Sequence, residues 1–145
     1  MAREHFSFFH TLRVRWAEVD MQAIVFNGHY LTYFDVAFTE YWRETGLPNV
    51  LDQAAEGREL FARKATVEYH APARFDDVLD IGVRCAAFGR TSVRFMLEIH
   101  RGDEHLISGE LVYVYADTAI RKGVALPQDW RETLVRFEKI APEVA

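Results

Sequence analysis

The chain has 145 residues, half of them hydrophobic and 14% aromatic, which suits a single domain over 1–145 with an ordinary apolar core and argues against disorder. A formal net charge of −5 gives no global attraction to nucleic acid or acidic membranes, so an anionic ligand needs a local cationic cluster. A lone cysteine, Cys85, excludes an internal disulfide framework and a multi-cysteine zinc site, and with no apolar run of signal-peptide or transmembrane length the expected location is the cytoplasm.

Residues 6–16 alternate, with Phe8, Leu12, Val14 and Trp16 on one side and Thr11, Arg13 and Arg15 on the other, the pattern of a strand with one wet face. A polar turn carrying Asp20 then leads through Ala23, Ile24, Val25 and Phe26 into the longest helix, for which Asn27 is the expected N-cap. Apolar residues at Tyr30, Tyr33, Phe34, Ala37, Phe38 and Tyr41 follow helical spacing, while Thr32, Asp35, Thr39 and Arg43 form a narrow polar edge. The apolar arc is wider than a surface helix needs, so other elements should wrap it. Gly46 and Pro48 should end the helix near Thr45.

The stretch 49–59 reads as a connection with a helical turn at 51–55. Alternating patterns predict strands over 61–69, 78–87, 92–100 and 106–115. Residues 88–91 read as a tight reversal in which Gly89 is free to take positive φ, and Gly102 with Asp103 turns the chain again. Spacing of Trp130, Leu134 and Phe137 predicts a C-terminal helix within 127–140. The order predicts an α+β domain, an antiparallel sheet of about five strands curved around one long helix. Apolar residues on the outer face, such as Met96 and Ala86, suggest a homodimer.

Ser7, Ser92 and Ser108 are the three serines and none lies in a GxSxG elbow, and GxGxxG, Walker and HExxH motifs are missing. The six histidines show no metal-ligand spacing, so no metal is expected, and Cys85 falls on a predicted core face where packing outweighs reactivity. Asp20 remains. An Asp at a strand end is usually a turn residue, but here an apolar wall and a helix start follow it. A carboxylate so placed can act as base or nucleophile, while the helix N–H groups and dipole stabilise a developing oxyanion.

The segment RVRWAEVDMQAIVFNGHYLTYFDVAFTEYWRETGL resembles the active-site segment of hotdog-fold acyl-CoA thioesterases of the 4-hydroxybenzoyl-CoA thioesterase type. Asp20, Ile24, Val25 and Tyr30 match its D-x-x-G-(I/V)-V-x-x-x-x-Y pattern, and VEYHAPARFDDVLDIGVRC and FGRTSVRF are similar to later sheet segments. The resemblance implies a hotdog fold, no cofactor beyond the CoA thioester substrate, and a homodimer or tetramer of dimers with active sites at the dimer interface. It implies Asp20 as catalytic carboxylate and the backbone of Asn27 and Gly28 as oxyanion donors. Val25, Phe26, His29, Tyr30 and Phe34 would line the substrate site, and Arg90, Thr91 and Ser92 would lie near the CoA nucleotide. Departures are Ala23 in the slot of a glycine and Asn27 in the slot of a histidine. Two other readings stand beside it: a hotdog hydratase or dehydratase, for which His29 is the nearby histidine, and a non-catalytic acyl-CoA binding module. Asp35 is the second candidate carboxylate, with Glu40 behind it.

Overall fold

The computed structural model describes residues 3–144. Its elements in chain order are β1 (Phe9–Arg13), α1 (His29–Thr45), α2 (Val50–Ala55), β2 (Arg58–Tyr69), β3 (Val78–Phe88), β4 (Ser92–Arg101), β5 (Glu104–Asp117), β6 (Lys122–Gly123), α3 (Gln128–Phe137) and β7 (Glu143–Val144). The five main strands form a sheet in the order β1-β3-β4-β5-β2, all neighbours antiparallel. The two-residue strands β6 and β7 extend it beside β5 and β3. No helix among the described residues is long and apolar enough to cross a membrane.

Strand alternation decides what the sheet offers to α1. Leu79, Ile81, Val83 and Cys85 of β3 and Phe95, Leu97 and Ile99 of β4 are fully buried on one face. Against them α1 buries Tyr30, Tyr33, Phe34, Ala37, Tyr41 and Trp42, while Thr32, Asp35, Thr39 and Arg43 stay exposed. Phe38 stacks on Tyr113 with centroids 4.6 Å apart and meets Phe95 edge-on at 4.8 Å. At the far end of α1, Trp42 packs edge-on against Trp130 of α3 at 5.4 Å. The helix stops where expected, with Gly46 at φ +79°.

Other expectations are corrected. The first strand is shorter, because short 3-10 turns at Arg3–His5 and Trp16–Glu18 flank it. Trp16, placed on the buried side by alternation, lies beyond the strand and is 68% exposed, meeting Phe75 edge-on at 5.1 Å. Gly28, not Asn27, is the N-cap of α1, and no side chain caps the helix. Gly89 is not among the glycines at positive φ, whereas Gly102 is, at +60°. The turn after β3 closes instead through Gly89 N–H donating to the Ser92 carbonyl at 2.8 Å.

Beneath α1 lies a buried polar contact that the sequence does not advertise. One oxygen of Glu138, just beyond α3, accepts from the Tyr41 hydroxyl and from Cys85 N–H (2.8 Å), and its other oxygen has no partner among the described residues. Burial pushes the Glu138 carboxyl above the usual carboxylate range, against the pull of those two donors and of Arg84. A raised folded pKa means the native state holds a proton that the unfolded chain has lost, so stability falls as pH rises from 4.5 through the raised value. Glutamine mimics the protonated acid. Melting curves should therefore show Glu138→Gln level with wild type at acid pH and increasingly more stable as pH rises, and equal slopes would discount the buried proton.

Candidate active site

Asp20 sits in a small hairpin that its own backbone closes. Val19 and Val25 form an antiparallel bridge, Asp20 N–H donates to the Ile24 carbonyl at 2.9 Å, and Ala23 N–H donates back to the Asp20 carbonyl at 2.9 Å. One side-chain oxygen of Asp20 accepts from Gln22 N–H at 2.8 Å, an Asx-type turn. The hairpin is docked on the segment before β3: Val25 N–H donates to the Ala73 carbonyl and Phe75 N–H to the Ala23 carbonyl, at 2.9 and 3.0 Å. The carboxylate is half-buried, and its other oxygen has no partner among the described residues.

The residue in the glycine slot explains itself here. Ala23 has φ +61°, in the left-handed region that disfavours a Cβ by roughly 1–2 kcal/mol. Ala23→Gly should raise stability by about 0.5–1 kcal/mol once the added freedom of the unfolded chain is subtracted, read as a higher melting temperature. A lower melting temperature would show that the turn holds no strain.

Glu18 is a residue that sequence reasoning missed. One of its oxygens accepts from Arg15 N–H (2.8 Å) and the Tyr33 hydroxyl of α1 (2.9 Å), and the other accepts two guanidinium bonds from Arg15 (2.9 and 2.6 Å). Burial pushes the Glu18 carboxyl up, but the Arg15 and Tyr33 donors outweigh it and hold it below the usual carboxylate range. Its backbone carbonyl also accepts from Phe26 N–H at 3.0 Å. Glu18 thus ties the hairpin to the central helix on both sides of Asp20. The R-x-x-E spacing was the available signal, since it lets the carboxylate close the 3-10 turn at Trp16–Glu18.

The start of α1 supplies donors. His29 N–H is taken by the Phe26 carbonyl (2.9 Å), whereas Asn27 and Gly28 N–H have no acceptor among the described residues. No acidic side chain occupies the first turn, so the positive end of the helix dipole is not neutralised there. A Cβ on Gly28 would stand 3.2 Å from the Phe26 ring, which itself meets His29 edge-on at 5.8 Å. In the hairpin and the segments flanking it, Trp16, Met21, Phe26 and Phe75 are all exposed, an apolar rim of the kind that marks a ligand or partner site.

Other residues separate from this group. Val25 is buried in the core beside the hairpin. Tyr30 is buried, its hydroxyl accepting from Ala73 N–H at 3.0 Å, and Phe34 is wedged against Gly109, so in the single chain both are packing residues. Arg90, Thr91 and Ser92 lie at the opposite end of β3, next to α3: Arg131 donates to the Gly89 and Arg90 carbonyls, and Leu126 N–H donates to Arg90. The 11 residues of β3 put roughly 33 Å between the two ends. One chain therefore does not bring Asp20 and Arg90 together. Two surface cavities, one lined by Phe88, Arg131 and Val144 and the other by Phe61, Asp117 and Arg121, also lie away from Asp20. Cys85 is fully buried, and burial raises its thiol pKa, as an inert core residue requires.

The sequence profile of the thioesterase superfamily matches residues 22–108. The acyl-CoA thioester hydrolase YbgC of Escherichia coli is 32% identical over 120 residues, covering 81% of this chain and 87% of that one. The PA5185 protein of Pseudomonas aeruginosa superposes with a TM-score of 0.82 at 26% identity over 96% of both chains. The Synechocystis protein Slr0204, described as a 1,4-dihydroxy-2-naphthoyl-CoA thioesterase, shares the fold with a TM-score of 0.81 at 20% identity, over 88% of this chain and 94% of that one.

Proposed function

The chain belongs to the thioesterase superfamily and is a hotdog-fold thioester hydrolase, and from that premise we propose that it cleaves an acyl-CoA with Asp20 as its catalytic carboxylate. The observation that carries this reading is the juxtaposition in one short segment of a half-buried carboxylate, an apolar rim and two uncommitted N–H groups at a helix start. Thioester hydrolysis needs each of them. The rim takes the acyl group, the N–H groups of Asn27 and Gly28 receive the carbonyl oxygen as charge develops on it, and the dipole of α1 adds to that stabilisation. Asp20 either attacks the carbonyl carbon, expelling CoA thiolate and leaving an anhydride for water to open, or removes a proton from the attacking water. Both routes release a carboxylate and free CoA. Trp16, Phe26 and Phe75 suit an aryl or medium-length acyl group.

A second copy of the chain enters for a geometric reason. The turn at 90–92 can serve the Asp20 site only from a partner, and β2 ends the sheet with one edge unpaired among the described residues and most of its side chains exposed. Joining two such edges would continue the sheet and protect both. Arg90 of one copy would then be available to a CoA phosphate bound at the other copy's Asp20.

Thiol release from a panel of acyl-CoAs, short to long and benzoyl to phenylacetyl, tests the activity directly. Turnover of at least one member is expected, and none on any member would overturn the acyl-CoA reading. Sedimentation of the same preparation should give a dimer or a multiple of it.

A further inference from the structure

On the outer face of the sheet, opposite α1, three side chains converge that the reaction at Asp20 does not use. Glu98 and His100 of β4 are only 6% and 3% exposed, and His105 of β5 is half-buried. Nε2 of His100 lies 2.9 Å from a Glu98 oxygen, and Nε2 of His105 lies 3.9 Å from the same oxygen. One donor atom from each residue falls within 4.8 Å of the other two. No metal-ligand spacing shows in the sequence because the hairpin creates it: a register shift after Ile99 sets His100 directly opposite His105.

Hydrogen bonding alone accounts poorly for this cluster. His100 Nδ1 is buried with no partner among the described residues, so one of the two nitrogens of this interior ring is left unsatisfied. The 3.9 Å between Glu98 and His105 is too long for a hydrogen bond and wider by a few tenths of an ångström than the roughly 3.4 Å between two donors on a tetrahedral zinc, a gap that a small ring movement closes. Beyond His105, Ser108 Oγ lies 3.0 Å from its Nε2 and 2.9 Å from Nε2 of exposed His70, so a third imidazole stands one hydroxyl away.

We propose that Glu98, His100 and His105 form a binding site for one divalent transition-metal ion of the zinc class, separate from the Asp20 site. Two imidazoles and one carboxylate select Zn²⁺ or Co²⁺ over Mg²⁺ and Ca²⁺, which want all-oxygen shells. The ion would take over Nε2 of His105, now 3.0 Å from the Ile107 carbonyl, and pin the β4–β5 hairpin. Its role is structural, because the sheet lies between it and α1.

The test uses the full chain without an affinity tag, stripped with a chelator and titrated with Zn²⁺ and, separately, Co²⁺, with Mg²⁺ as the negative probe. One ion per chain is expected, with a raised melting temperature and no response to Mg²⁺. His105→Ala and Glu98→Gln should each weaken binding on the order of 100-fold or more and abolish the melting shift. Half-buried His105 is the safer position for folding, and its variant decides alone if Glu98→Gln does not fold. No stoichiometric ion in wild type, or binding unchanged in His105→Ala, overturns the site.

Discussion

Asp20→Ala is expected to slow thioester hydrolysis by about 10²- to 10⁴-fold, the range of a positioned base, with the fold left intact. Stability should hardly move, since the side chain is half-buried and gives up one bond, from Gln22 N–H, that water can replace. The hairpin itself is closed by backbone groups and by Glu18, neither of which the substitution touches. The loss should fall on kcat, because the aromatic rim that holds the acyl group is unchanged. Asp35→Ala is the matched control: Asp35 lies on the exposed polar edge of α1, and its rate should equal wild type. Full activity in Asp20→Ala would take Asp20 out of the chemistry and move the search to Asp35. Glu40 comes after it, being already engaged by Arg43.

Gly109→Ala is expected to destabilise the domain by about 3 kcal/mol, the upper part of the usual range for overpacking. A Cβ built on Gly109 falls 2.2 Å from Phe34 Cε2 and 2.4 Å from Cζ, and Phe34 is fully buried in the middle of α1. Neither side can retreat freely, because β5 is paired on both flanks and α1 is held by Tyr33, Tyr41 and Trp42. For a domain of this size that loss corresponds to roughly 10 °C in melting temperature. Phe34→Leu should recover part of it in the double variant while being destabilising alone, so a double-mutant cycle should give a coupling above about 0.5 kcal/mol. Additive effects would show that the ring and the strand do not press on each other.

The long helix, its end at Gly46, the strands and their buried faces were legible because burial along one element follows a local period. Leu79, Ile81, Val83 and Cys85 alternate in sequence just as they alternate in space. Asp20 could be singled out as a candidate for a related reason, since its apolar wall and helix start lie within a few residues of it. One error came from a period carried past the end of its element, and another from cap chemistry read one residue early. Trp16 was placed by a strand alternation that the chain leaves at Arg13, and Asn27 was given a capping role that falls to Gly28.

What only the tertiary structure decided involves residues brought together across elements. Glu18 reaches Tyr33 of α1, Glu138 reaches Tyr41 and Cys85, and a register shift places His100 against His105. The same holds for Ala23, whose left-handed backbone is imposed by docking the hairpin onto Ala73 and Phe75. Arg90 shows this plainly: within one chain it stands at the far end of β3 from Asp20, a separation that no local pattern states. By itself the sequence determined the class of fold and the family and singled out Asp20 as the candidate carboxylate, because those depend on period and short-range order. Register and docking decided the rest, because each pairing is a choice among distant partners that no single segment encodes.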